Sequence, residues 1–101
     1  MARRSESFDK FIAEKMQNKR YARTTLLTSI KEFDDSVEEA LKYTIQKMGI
    51  KEFSNASGVS VQNISDFIRG TRNLKAETLD KYLAVFELKS KVVVVDAKDV
   101  A

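Results

Sequence analysis

Apolar residues recur along most of the chain at intervals of three and four, the spacing that lines one side of an α-helix. Phe8, Phe11, Ile12 and Met16 form the first series, with Ser5 or Ser7 placed to cap it, and Ala22, Leu26, Ile30 and Phe33 form the second. They predict two helices within residues 5–33, joined near Gln17 to Lys19. Val37, Ala40, Leu41, Thr44, Ile45 and Met48 make the clearest stripe, behind Asp35 or Ser36 as N-cap and ended by Gly49. The chain has three glycines and no proline, so each glycine reads as a helix stop.

Two shorter helices follow. Residues 51–57 are stopped by Gly58, and residues 61–69, capped by Ser60, are stopped by Gly70. Neither is long enough to persist alone in water, so both need tertiary support. A sixth helix over residues 76–87 offers Leu79, Tyr82, Leu83 and Phe86 to a core. Val92, Val93, Val94 and Val95 then form a β-branched run between Lys91 and Asp96, which predicts a short strand over residues 91–96. A lone strand has no ladder partner, and a second copy across a two-fold axis is the simplest source of one.

The stretch from Ile50 to Arg69 has the spacing of a helix-turn-helix. Ser54 is small enough to admit the second helix, Gly58 provides a permissive turn, and Val59 plugs the angle between the helices. Phe53, Ile64 and Phe67 anchor the pair, which leaves Ser60, Val61, Gln62, Asn63, Ser65, Asp66 and Arg69 facing outward. That face suits base edges: Val61 matches a thymine methyl, and Gln62 or Asn63 an adenine edge. Lys51, Ser60, Arg69, Thr71, Arg72, Asn73 and Lys75 surround it with groups suited to phosphate oxygens. Between Ile50 and Lys75 four basic residues stand against two acidic ones.

Composition narrows the function further. A hydrophobic fraction of 43% with 33% charged residues is that of a soluble globular chain, and 101 residues suit one domain. Cysteine and histidine are both absent, which removes the usual members of nucleophile–base pairs and transition-metal sites. A binding protein without cofactor or metal is therefore expected, rather than an enzyme. No apolar run reaches the roughly 20 residues of a membrane span, and no secretory leader is visible, so the cytoplasm is the expected compartment. Net charge is +3 and the pI about 9.2, compatible with an anionic partner.

Phe53-Ser54, Ser57-Gly58-Val59-Ser60, Ile64-Ser65, Ile68-Arg69-Gly70-Thr71-Arg72 and the series from Leu79 to Phe86 resemble the lambda-repressor and Cro-like helix-turn-helix family, also called XRE, over residues 36–88. The resemblance implies an all-α bundle in which the second short helix enters the major groove and the Gly-x-Arg loop touches the backbone. By position, Val61, Gln62, Asn63, Ser65 and Asp66 would face bases. Asp66 departs from the pattern: a carboxylate close to phosphates must accept from cytosine N4 or pair with Arg69, and pairing is the stronger expectation.

Upstream, Phe8-Asp-Lys-Phe-Ile-Ala-Glu-Lys-Met, Tyr21-Ala22, Leu26-Leu27 and Glu39-Ala-Leu look like the opening of addiction-module antidote proteins of the HigA type. That likeness implies an antitoxin: a homodimer that represses its own operon at a palindromic operator and binds a small ribonuclease toxin away from the recognition helix. The two N-terminal helices would then hold the toxin, or else only widen the core. A stand-alone regulator without a toxin, and an interaction module with a divergent helix-turn-helix, are the other readings. As a repressor, two copies would place their second helices in successive major grooves about 34 Å apart.

Overall fold

The computed structural model describes residues 2–71 and 73–99. Six α-helices follow in order: α1 (Ala2–Met16), α2 (Lys19–Lys31), α3 (Val37–Met48), α4 (Ile50–Ser57), α5 (Val61–Ile68) and α6 (Ala76–Ala84), with a 3-10 turn at Ala97–Asp99. The helical expectation holds, with adjusted ends. α1 starts before Ser5 and Ser7, so both lie inside it and neither is its cap. At the next junction Asn18 Oδ1 accepts from the amides of Arg20 and Tyr21, at 2.9 and 3.2 Å, and opens α2. Ser36, not Asp35, caps α3, its Oγ accepting from the Glu39 amide at 3.1 Å. Glu38 and Glu39 in the first turn and Lys47 in the last complement the helix dipole.

α3 is the central element: it packs against α1, α2 and α4, and α4 in turn meets α5 and α6. The core is one cluster that draws Met16 and Ala22 and Leu26 from the N-terminal helices, Leu41, Ile45 and Met48 from α3, Phe53 from α4, Ile64 and Phe67 from α5, and Tyr82, Leu83 and Phe86 from the α6 region. Its aromatic centre is ordered by shape: Phe53 lies 5.3 Å from Tyr82 and 6.0 Å from Phe86, and Phe67 meets Tyr82 edge-on at 5.4 Å. Gln17 ties the α1–α2 corner to the end of α3, its Nε2 donating to the carbonyls of Ala13 and Met48, both at 3.0 Å.

Three expectations are corrected. Phe8, Phe11 and Phe33 are exposed, Phe33 by 72%, although each falls on a helical apolar series. The core covers only Met16 and, partly, Ile12 of α1, and Phe33 lies beyond the last residue of α2. α6 ends at Ala84, short of Glu87, because the chain closes there with Leu88 N–H on the Leu83 carbonyl and Glu87 N–H on that of Ala84, both at 3.0 Å. This is a Schellman stop with Glu87 at φ 58, the left-handed position normally given to glycine. Finally, the valines 92 to 95 form no strand, and none occurs among the described residues. The reason is the one that made the strand conspicuous: a β-ladder needs a second strand, and the six helices provide none.

Candidate nucleic-acid interface

The bend between α4 and α5 is built by three consecutive residues, Ser57, Gly58 and Val59, together with Ser54 one turn earlier. Gly58 sits at φ 76 with open space where a Cβ would stand, so its backbone, not crowding, requires glycine. Its amide donates to the Ser54 carbonyl at 2.9 Å. Ser54 Oγ donates to the Val59 carbonyl at 2.6 Å, and Ser57 Oγ accepts from the Val59 amide at 3.1 Å. Both polar groups of Val59 are thus satisfied while its side chain is buried in the angle. Sequence reasoning found the smallness of Ser54 but missed its hydrogen bond.

Ser60 then caps α5 through its Oγ, which accepts from the Asn63 amide at 3.1 Å. Ile64 and Phe67 are fully buried, and they fix the rotation of the helix. Ser60, Val61 and Gln62 are consequently exposed, and Asn63, Ser65 and Asp66 lie half-buried along the flank. Val61, Gln62, Ser65, Asp66 and Arg69 therefore fall within about 140° of one another around the helix axis, with Asn63 further round towards the buried Phe67. Asp66 organises the far end of this face: its Oδ1 accepts from Gln62 Nε2 at 3.0 Å and from the Arg69 guanidinium. The pairing of Asp66 with Arg69 is present, and Gln62 joins it. One carboxylate oxygen thus holds both the Gln62 amide and the Arg69 guanidinium.

The helix stop after α5 accounts for two more residues. Gly70, at φ 79, donates to the Phe67 carbonyl at 3.1 Å, and the Thr71 amide and Oγ1 both donate to the Asp66 carbonyl at 3.0 Å. Thr71, expected at a phosphate, spends its hydroxyl proton closing this helix end. Lys51, Asn73 and Lys75 are exposed, Lys51 in the first turn of α4 and Lys75 at the start of α6, whereas Arg72 lies outside the described residues. One further polar contact was invisible in the sequence. The Ser90 amide and hydroxyl both donate to Asp80 Oδ1, at 2.8 and 2.6 Å, and pin the C-terminal segment to α6. These bonds, with Lys89 nearby, hold the Asp80 carboxyl below the ordinary aspartate range. Ten residues separate the partners, so no local pattern signals the pair.

A polar, partly cationic helix face seated on a buried hinge is the architecture of a helix-turn-helix DNA-binding domain. The sequence profile of the helix-turn-helix family matches residues 38–92, more than half of the chain, covering α3 from its second residue and all of α4 to α6. The chain belongs to this family, of XRE type, and is by that membership a DNA-binding transcription regulator. No curated protein and no solved structure matches it. Among the described residues no helix is long and apolar enough to cross a membrane.

Proposed function

We propose that the protein is a sequence-specific repressor that binds a palindromic operator as a two-fold homodimer in the cytoplasm. One observation carries the reading: α5 is rotated by its buried Ile64 and Phe67 so that Val61 and Gln62 are exposed, with Gln62 and Arg69 gathered on the Asp66 carboxylate. Side chains at the start of a groove-entering helix contact base edges, and flanking cations contact phosphates. Val61, Gln62, Asn63 and Ser65 are the base-facing group. Lys51, Ser60, Arg69, Asn73 and Lys75 are the backbone-facing group, with Arg72 added from the sequence. This chemistry is binding, needs no cofactor and makes no covalent step.

Fluorescence anisotropy on duplex DNA from the protein's own promoter tests it. Binding should weaken steeply as salt rises. Arg69→Ala should weaken binding to every duplex, and Gln62→Ala should relax preference at one base pair by about 1–3 kcal/mol. A Gln62→Ala protein with unchanged affinity and preference overturns the register.

A second role, antitoxin of a type II toxin–antitoxin module, fits the exposed Phe8 and Phe11 of α1, apolar area carried on a different helix from α5. Phe11 also has the Lys15 ammonium 5.4 Å over its ring. Co-expression with the product of a neighbouring small reading frame tests it. Co-purification of a small ribonuclease, lost in Phe8→Ala/Phe11→Ala, supports the antitoxin; DNA binding with no such partner leaves a stand-alone regulator.

A further inference from the structure

The structure leaves two apolar features uncovered. Val92 and Val94 are 92% and 93% exposed, against 65% and 55% for Val93 and Val95. An alternation with period two belongs to an extended chain: one side of the run is partly shielded and the other shows bare valine to solvent. Between α2 and α3 lies a groove of about 570 Å³, walled by Tyr21, Phe33 and Tyr43, all exposed, with Thr24, Thr25 and Thr28 along its floor.

We propose that this groove receives residues 91–96 of a second copy, exchanged reciprocally about a two-fold axis. Dimensions agree, since four extended residues span about 10 Å, as do the two helical turns from Tyr21 to Thr28. Polarity agrees too. Thr24 and Thr25 spend their hydroxyl protons on the carbonyls of Arg20 and Tyr21, at 2.9 and 3.1 Å, which leaves oxygen lone pairs to accept the amides of an incoming backbone.

Charge sets the direction. Residues 32–39 hold Glu32, Asp34, Asp35, Glu38 and Glu39 and no basic residue, and Asp35 borders the groove. Lys91 precedes the valines and Asp96 follows them. Running antiparallel to α2, the tail sets Lys91 at the acidic corner and Asp96 beside Lys19, Arg20 and the positive end of the helix. The chain's own tail starts on the wrong side for this. Ser90 is held to Asp80, and the end of α6 meets α2 at a hollow formed by Lys19, Arg20, Arg23, Phe86 and Glu87. At 100° per residue, the groove-lining positions of α2 lie on average about 160° around the helix from that hollow.

The inference rests on the dimer reading above, and its test separates the two. The chain has no cysteine, so single engineered thiols are unique. Full-length Thr24→Cys and Val94→Cys, one of them tagged, are mixed under a glutathione redox buffer, with circular dichroism confirming the fold of each. The mixed disulfide should exceed either self-linked product at least ten-fold. Self-linked Val94→Cys in excess overturns groove docking in favour of tail-to-tail pairing. A Thr24→Cys/Val94→Cys double variant that closes within one chain overturns it in favour of the protein's own tail. Sedimentation adds the control: Phe33→Ala should raise the dimer dissociation constant at least ten-fold. A dimer indifferent to it overturns the docking alone, whereas a wild-type chain that never dimerises overturns the dimer reading itself.

Discussion

Asp66→Asn separates the two roles open to the single carboxylate on the recognition face. Asparagine keeps the Oδ1 acceptor for Gln62 and Arg69 and removes only the charge. The ion pair is largely solvated, with side-chain exposures of 61% for Arg69 and 25% for Asp66, so its loss should cost less than about 1 kcal/mol of stability. On DNA the sign reverses. A carboxylate about 8 Å from a phosphate in water is repelled by roughly 0.5 kcal/mol, and the two copies of the proposed dimer give about 1 kcal/mol, or some five-fold in affinity. The neutral hydrogen bond left on Arg69 is weaker than the ion pair, so the guanidinium is more available to a phosphate and the salt dependence should steepen, by at most about 0.9 logarithmic units per copy. Anisotropy titrations on operator and unrelated duplexes at several salt concentrations, beside thermal unfolding, read all three quantities. Tighter binding to both duplexes bears out the holding role. Weaker binding to the operator alone would refute it, since the carboxylate would then be accepting from a cytosine. Unchanged binding to both would mean that this flank of α5 does not approach DNA.

The remaining predictions concern the scaffold. Phe53→Ala, which empties the centre of the aromatic cluster, should destabilise the chain by about 3–5 kcal/mol in urea titration, and a loss under ~1 kcal/mol would contradict that packing. Gly58→Ala meets no steric obstacle but places a Cβ at φ 76, so it should cost about 1–2 kcal/mol, and Gly58→Asn less. Equal stability of both variants with wild type would count against the left-handed hinge. The Asp80 clamp should respond to acid. Its folded pKa lies below the unfolded value, so its stabilisation is complete above the ordinary aspartate range and fades as pH falls through the folded pKa. The Ser90 amide resonance should stay constant from neutral pH down to about 5 and shift toward its unclamped position only below about 4. A change near neutrality would contradict the assignment.

Much of the interface was legible because its physics is local. A serine three residues before an amide, a glycine after an apolar series and a carboxylate three residues before an arginine act within one or two turns, and Ser36, Ser60, Gly58 and the Asp66–Arg69 pair appear as expected. Periodicity, by contrast, tells which residues share a side of a helix but not whether anything covers that side. Phe8, Phe11 and Phe33 fit their series as well as Met16 and Leu26 do, yet only the latter pair is buried. The same gap produced the expected strand, because β-branched residues record a preference for extended backbone without providing a ladder.

By itself, then, the order of residues determined six helical segments, their main stops and the polar side of α5, all set by contacts a few positions apart. Tertiary structure alone decided that α3 unites the N-terminal pair with the hinge and that Gln17 locks a corner onto Met48. It also decided that Ser90 hangs from Asp80 and that Phe8, Phe11, Tyr21, Phe33 and Tyr43 stay in water. Those outcomes depend on which surfaces meet across long stretches of chain, a matter of packing that no local spacing encodes.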